Sequence, residues 1–210
     1  MTHNSPLEAV PDDLITQTVQ LPSGELRLLQ PQESAEFPDD REVEWAPIAP
    51  YWSVLWRSGV ALAHELDRLA LDGLRVVELG CGLGVPSIAA ARAGANVLAT
   101  DASPEALTLL ARNAQANGVP IETATLDWTQ PDRLLRRAPF DLVLAADVLY
   151  ERPSVAPLLS LLPRLAPEAL LADPGRPAAG AFIEQARQRG WRIETRSRDI
   201  VQVHWLELLP

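Results

Sequence analysis

The stretch VVELGCGLG, from Val76 to Gly84, decides the fold of this chain. It begins as an apolar run that predicts a buried strand, reaches the acid Glu78, and then places glycine at Gly80, Gly82 and Gly84. Glycine lets the backbone bend sharply and approach a ligand closely, and the start of a following helix offers free N–H groups. The pattern predicts a ligand-binding turn between a strand and a helix. The alternative is a turn that only connects the two elements.

Strands and helices alternate on both sides of this turn, which predicts a mainly parallel sheet covered on both faces. The last two predicted strands are separated only by Ser197 to Asp199, so they must pair antiparallel. An alternating segment from Ile15 to Gln30, with a Pro-Ser-Gly turn, predicts a β-hairpin before the sheet. Beyond the hairpin, the predicted strands lie at 74–79, 96–101, 121–126, 139–147, 168–173, 191–197 and 200–208, and the predicted helices at 53–71, 85–93, 103–117, 153–165 and 178–189.

The fold class is therefore α/β, with a Rossmann-like seven-stranded sheet, helices on both faces and an antiparallel last strand. Residues 1–50 are expected to form a tail (1–13), the hairpin and an acidic loop (31–44), and residues 51–210 a single domain.

Composition narrows the classes of function. The formal net charge of −10 argues against a nucleic-acid or anionic-membrane partner. A single cysteine, Cys81, excludes an internal disulfide and favours a reducing, cytoplasmic setting. The first residues lack the pattern of a secretory signal, no apolar run is long enough to span a bilayer, and the scattered histidines show no metal-ligand spacing. All 18 basic side chains are arginine, so the chain contains no lysine.

The glycine turn suits a nucleoside without a pyrophosphate. The spacing G-x-G-x-x-G of dinucleotide sites fails, because its last position falls on Val85. Glu78 stands two residues before Gly80 and suits a ligand that carries an amine. Asp101 ends the next predicted strand, where its carboxylate can accept from both hydroxyls of a ribose. A ribose and an ammonium group without a pyrophosphate together describe S-adenosylmethionine.

Three segments, ELGCGLG, TDASPEAL and FDLVLAADVLY, resemble those of the seven-strand class I methyltransferases. The tryptophan-rich PYWSVLWRSGVALAHEL and the acid-x-x-aromatic motif Asp147 to Tyr150 resemble the branch that contains many protein-lysine methyltransferases. With DPGRP at Asp173 to Pro177, they are most similar to enzymes that methylate the β subunit of electron-transfer flavoprotein. LDWTQ resembles other branches, which place that tryptophan beside adenine.

The resemblance implies a role for each matching residue. The glycines would cradle the methionine part of the cofactor and Glu78 its amino group, with Asp101 on the ribose. In this reading Ala145 would lie beneath the sulfonium, while Asp147 and Tyr150 would face the substrate as the catalytic pair. The complete cofactor-binding set is Trp56, Glu78, Gly80, Cys81, Gly82, Gly84, Asp101, Ala102, Asp127, Trp128 and Ala145.

Alternatives accompany these roles. Asp147 is also placed to cap the helix that follows, and Cys81 is expected to fill the loop without acting as a nucleophile. Arg176 would hold either a substrate carboxylate or a loop acid. Three functions compete: a methyltransferase for protein lysines, a methyltransferase for a small amine, and an inactive cofactor-binding protein. The first is favoured because little chain remains to build a lid over a small substrate, and a monomer is expected.

Overall fold

The structure of the protein is a computed structural model that describes residues 13–35 and 51–209. The predicted tail therefore falls almost entirely outside the described residues. The acidic stretch 31–44 begins with the end of a strand and a one-turn helix, α1 (Gln32–Ala35), where a loop was predicted. Its remaining residues also lie outside the described part.

Seven strands form the main sheet, in the spatial order β5-β4-β3-β6-β7-β9-β8. The first five run parallel, and β9 lies antiparallel between β7 and β8. The predicted fold class, with its antiparallel last strand, is confirmed. The strands are β3 (Arg75–Leu79), β4 (Asn96–Asp101), β5 (Glu122–Thr125), β6 (Leu142–Ala146), β7 (Glu168–Asp173), β8 (Trp191–Arg198) and β9 (Val201–Leu208).

The predicted hairpin is also confirmed: β1 (Leu14–Leu21) and β2 (Gly24–Pro31) form a separate two-stranded antiparallel sheet. The longer helices are α2 (Arg57–Leu66), α3 (Val85–Arg92), α4 (Pro104–Ala116), α6 (Val155–Leu165) and α7 (Pro177–Gln188), and α5 (Asp132–Leu135) is a single turn. Within the described residues, no helix is long and apolar enough to cross a membrane.

Local chemistry explains where the helices begin. The hydroxyl of Ser103 accepts a hydrogen bond from the Ala106 N–H at 3.2 Å, which caps α4. Helix α2 is shorter than the predicted 53–71. Trp56 has an extended backbone (ψ 138°) just before it, and Asp67 is its C-cap.

The alternation of β3 assigns side chains to the two layers of the protein. Val77 and Leu79 are buried with residues of α6 and α7, whereas Val76 is buried with residues of α2, α3 and the hairpin. The hairpin contributes Leu26 and Leu28, both fully buried, to this second layer. Burying a leucine side chain stabilises a fold by about 1.5–3 kcal/mol, so the hairpin is an integral part of the layer that supports the glycine turn.

Candidate active site

The glycine turn between β3 and α3 has no space for larger residues. Gly80, Gly82 and Gly84 have φ angles of 69°, 47° and 82°, in the region that L side chains rarely adopt. A Cβ at Gly82 would lie 2.9 Å from the carbonyl oxygen of Trp52, and one at Gly84 would lie 2.5 Å from Leu110 Cδ1. The backbone of the turn is therefore pressed against its neighbours on one side and faces a cavity on the other.

This cavity, of about 710 Å³, lies at the carboxyl ends of the parallel strands, next to the point where strand order reverses. Ala145 is a predicted site residue that does not line it. Alternation along β6 places Ala145 in the layer of α6 and α7, and the neighbouring Ala146 lines the cavity instead. The predicted residues that do line the cavity are Trp56, Glu78, Gly80, Cys81, Gly82, Gly84, Asp101, Ala102, Asp127, Trp128, Asp147 and Tyr150.

Glu78 is a buried acid at the base of the turn. Its Oε2 accepts hydrogen bonds from the Ser87 N–H at 3.0 Å and from the Ser87 hydroxyl. Burial raises the pKa of Glu78 to about 8, and the nearby Asp101 adds to the increase, while the bonds from Ser87 oppose it. A cation bound beside Glu78 would favour its ionised form. Ser87 was not singled out in the sequence, because nothing in its neighbourhood indicates that it faces Glu78.

Asp101 closes the turn from the adjacent strand. Its Oδ2 accepts from the Gly82 N–H at 3.0 Å and its Oδ1 from the Ser103 N–H at 2.9 Å. Burial raises the pKa of Asp101, and these backbone bonds oppose the increase. Each carboxylate oxygen has a further lone pair, so both can still accept from ligand hydroxyls. Burial also raises the pKa of the Cys81 thiol, which keeps it protonated at neutral pH.

Asp127 and Trp128 follow β5 at another part of the wall. Asp127 is exposed, and its Oδ1 accepts from the N–H of Thr129 at 2.8 Å and from its hydroxyl at 2.7 Å. The Trp128 indole is partly buried and lies beside the glycine turn, with Cζ2 4.0 Å from the position that a Cβ on Gly80 would occupy.

Asp147 follows β6, with a φ angle of 57° that is rare for a residue other than glycine. Its carboxylate is buried, and its Oδ1 accepts from Arg176 Nε at 2.8 Å. Its Oδ2 lies 3.4 Å from the hydroxyl of Ser58, which is long for a hydrogen bond between oxygens. Helix α6 begins only at Val155, without a side-chain cap, so Asp147 does not cap it. Of the two roles that the sequence left open for Arg176, the structure shows the pairing with a loop acid.

Aromatic rings form the rim of the cavity beside Asp147. Tyr150 is 55% exposed, and its ring stacks on Tyr51 with 5.8 Å between the ring centroids. The Trp56 indole lies next along this rim and donates to the carbonyl oxygen of Tyr51 at 2.9 Å. Tyr51 was missed in the sequence, although it stands in the tryptophan-rich segment, because no local pattern indicates that its ring meets Tyr150.

Asp173, at the end of β7, is a further acid that sequence patterns did not single out as a site residue. It is 1% exposed, and its Oδ1 accepts from the N–H groups of Gly175 and Arg176 at 2.7 and 2.6 Å. Its Oδ2 is buried and has no hydrogen-bond partner among residues 13–35 and 51–209. Burial raises the pKa of Asp173 to about 6, and the negative charge of Asp147 contributes to the increase.

Asn113, on α4, connects the glycine turn to the hairpin. This fully buried side chain donates to the Leu83 carbonyl at 3.1 Å and accepts from the Leu29 N–H at 2.7 Å. The sequence offered no signal for this contact beyond the polarity of an asparagine on an otherwise apolar helix face.

Comparison with known proteins extends these observations. Residues 51–172 match a family described as lysine methyltransferase. The electron transfer flavoprotein beta subunit lysine methyltransferase of Rattus norvegicus is 33% identical over 166 residues, which cover 74% of this chain and 62% of that protein. Protein N-lysine methyltransferase METTL21A of Danio rerio is 36% identical over 121 residues, covering 54% of this chain and 55% of that protein. The chain thus spans less than two thirds of the length of these curated relatives.

Solved structures show the same architecture. The 16S rRNA N2 G1207 methyltransferase of T. thermophilus, solved with AdoMet and guanosine, superposes with a TM-score of 0.66 at 16% identity. The alignment covers 95% of this chain and 52% of that protein. At such low identity the likeness concerns the fold.

Proposed function

The chain belongs to the lysine methyltransferase family, and from that membership we propose that it is an S-adenosylmethionine-dependent enzyme that methylates lysine side chains of a protein substrate. The observation that carries the proposal is the convergence of two unlike groups on one cavity. Glu78 and Asp101 line it together with the glycine turn, and Asp147 lines it together with an exposed aromatic rim.

The cofactor half offers hydrogen-bonding groups that match those of S-adenosylmethionine. We assign Asp101 to the ribose hydroxyls, Glu78 to the ammonium group, and the backbone of Gly80 to Gly84 to the methionine part. Asp127 and Trp128 would flank the adenine and Trp56 would form a wall, with Ala102 and Cys81 in the same turns. Ala146 lines the cavity where Ala145 was expected, so we assign the contact near the reacting methyl group to Ala146.

When bound, S-adenosylmethionine supplies a methyl group on a sulfonium that departs as a neutral thioether when a nucleophile attacks. The residues of the chain therefore have to position a lysine nitrogen in line with that group. Asp147 would accept a hydrogen bond from the amine and aim its lone pair, and the proton that the nitrogen loses passes to water. The rings of Tyr150 and Tyr51 would flank the aliphatic stem of the lysine.

A protein substrate suits this site better than a small amine because the acceptor end opens at an exposed rim. The β subunit of electron-transfer flavoprotein is the first substrate to test, given the name of the rat relative. The net charge of −10 further suits a basic partner segment and keeps nucleic acid outside the proposal. A monomer in a reducing compartment such as the cytoplasm completes the proposal.

The chain contains no lysine, so self-methylation of lysine side chains adds no background to the decisive experiment. The purified protein is incubated with methyl-labelled S-adenosylmethionine and either purified electron-transfer flavoprotein or a lysate of the source organism. Hydrolysis and amino-acid analysis then identify the labelled residue, and no methyl-lysine can come from the side chains of the enzyme itself. Asp147→Ala serves as the matched inactive control.

The outcomes separate the competing functions. Label in methyl-lysine of a macromolecule supports the proposal, and label in another residue or only in the low-molecular-weight filtrate contradicts it. Binding of S-adenosylhomocysteine without any labelled product would indicate a cofactor-binding protein that lacks activity.

A further inference from the structure

The carboxylate at the acceptor end of the cavity is already bound to a cation of the same chain. Arg176 Nε lies 2.8 Å from Asp147 Oδ1, and the two side chains are only 18% and 4% exposed. Both residues line the cavity. They come from the ends of adjacent strands, since Asp147 follows β6 and Arg176 precedes α7 after β7. The pair is therefore positioned by the carboxyl ends of two adjacent parallel strands.

Such a pair acts differently on a substrate amine than a bare carboxylate would. An opposite charge nearby stabilises the ammonium form and raises the pKa of the amine. Free lysine has a pKa of about 10.4, so a further increase would make the neutral form, which has the lone pair for methyl transfer, still rarer. An arginine is always protonated, and bonded to Asp147 it cancels most of the field that an approaching amine meets.

The two oxygens of Asp147 are occupied unequally. Oδ1 is taken by Arg176, whereas among the described residues Oδ2 has only the 3.4 Å contact with Ser58. Oδ2 therefore has the greater remaining capacity of the two to accept a hydrogen bond from an incoming N–H group. Resting on the function proposed above, we propose that Arg176 is a resident counter-ion that turns Asp147 from an ammonium-binding group into a hydrogen-bond acceptor, so that the site takes the substrate amine in its uncharged form.

Other charged groups nearby act on the same amine. Asp173 contacts the backbone of Arg176 but does not line the cavity, so it acts from behind the pair. Glu78 and Asp101 lie in the cofactor half, and Glu151 and the exposed Tyr150 lie at the rim. The groups in the cofactor half and at the rim are unchanged in variants of Arg176, whereas the charge of Arg176 also lowers the pKa of Asp173. Such variants therefore report on the pair together with Asp173 behind it.

A binding experiment without turnover tests the proposal. The full chain is saturated with S-adenosylhomocysteine, and n-butylamine, an analogue of the lysine side chain, is titrated in and followed by NMR between pH 7 and 9. A site for the neutral amine gains affinity for total amine by about tenfold per pH unit, because the neutral fraction grows by that factor below the amine pKa. A site for the ammonium form has a flat profile over the same range.

Arg176→Gln keeps a hydrogen-bond donor near Asp147 and removes the charge. We expect this variant to bind n-butylamine at least about tenfold more tightly than the wild type at pH 7, with a flat pH profile. Arg176→Lys should keep the rising profile. Arg189→Gln, an exposed site at the other end of α7, is the matched control and should behave like the wild type. Asp147→Asn measures the background from Glu78, whose pKa of about 8 falls in this range.

A flat wild-type profile overturns the proposal, as does a rising profile in Arg176→Gln or the absence of amine binding in both proteins. If Arg176→Gln fails to fold, the wild-type profile corrected with Asp147→Asn still decides. Failure here is distinct from failure of the proposed function: a protein that binds S-adenosylhomocysteine and methylates lysine, yet shows a flat amine profile, loses only the role of Arg176.

Discussion

The two halves of the cavity are built by different means. The half that we assign to the cofactor is centred on the short segment from Glu78 to Ser87 and the adjoining Asp101. The carboxylates of Glu78 and Asp101 are buried and accept hydrogen bonds from backbone N–H groups of Ser87, Gly82 and Ser103. The acceptor half depends on an ion pair between residues from two strand ends, beside aromatic rings exposed at the rim.

We interpret this difference as a division of roles between the two halves, one for the cofactor and one for the partner protein. A buried, bonded frame suits a ligand that is the same in every turnover, whereas an open rim suits a large partner that must arrive and leave. If the division holds, changes in the cofactor half alter affinity for the cofactor, and changes in the acceptor half alter turnover with little effect on that affinity.

Gly82→Ala should have the largest effect on the cofactor half. Its Cβ would meet the Trp52 carbonyl at 2.9 Å, at a φ of 47° that already disfavours alanine. We expect cofactor affinity to fall by about 100-fold or more, equal to about 2.8 kcal/mol at 1.4 kcal/mol per tenfold, with a loss of stability of about 1–3 kcal/mol. Calorimetry with S-adenosylhomocysteine and thermal denaturation measure both.

Gly180→Ala is the matched control for this substitution, because a Cβ there meets no atom of the described part of the chain within 4 Å. It lies in the interior of α7, where alanine is the better helix former. If Gly82→Ala behaved like Gly180→Ala, the turn would be only a connection.

Asp101→Ala should have the next largest effect. Hydrogen bonds to charged groups contribute about 1.5–3 kcal/mol, so the dissociation constant for S-adenosylhomocysteine should rise by about 10- to 150-fold. Asp132→Ala, an exposed acid on α5 away from the cavity, is the control for the change in net charge. An unchanged dissociation constant for Asp101→Ala would remove this residue from the cofactor half.

The contrast between the halves also explains what the sequence could predict. The fold follows from local signals, namely alternating strands and helices and one glycine-rich strand-to-helix turn. The acids near the ends of two successive strands, Glu78 and Asp101, likewise predict that both lie at the cavity. The Asp147–Arg176 pair joins residues that are far apart in the sequence, and its existence depends on the adjacency of β6 and β7. Ala145 was placed by resemblance, although strand alternation alone puts it in the opposite layer from Ala146.

The buried Glu78 should make the free energy of unfolding depend on pH. Its pKa rises from 4.5 to about 8 on folding, so the folded state binds more protons than the unfolded state between those values. Its contribution is therefore fully present below pH 4.5 and is lost as the pH rises to about 8. The free energy of unfolding, measured with denaturant across this range, should fall with rising pH by more in the wild type than in Glu78→Gln. An identical pH dependence in both proteins would mean that Glu78 ionises as freely in the folded state as in the unfolded state.

Tyr150→Phe should have the smallest effect, because the stack on Tyr51 needs the ring and not the hydroxyl. Aromatic pairs contribute about 0.5–1.5 kcal/mol, so Tyr150→Ala should lower methylation about 2- to 12-fold while Tyr150→Phe stays near the wild-type rate. Steady-state rates on the identified substrate measure this. A larger loss in Tyr150→Phe than expected would assign the work to the hydroxyl.

Asp147→Ala tests the division between the halves most directly, when its dissociation constant for S-adenosylhomocysteine and its methylation rate are measured on the same preparation. We predict that methylation is abolished while the dissociation constant stays near the wild-type value, because Asp147 would contact only the acceptor. Retention of most of the activity would contradict its role at the acceptor, and loss of cofactor affinity together with activity would contradict the division itself.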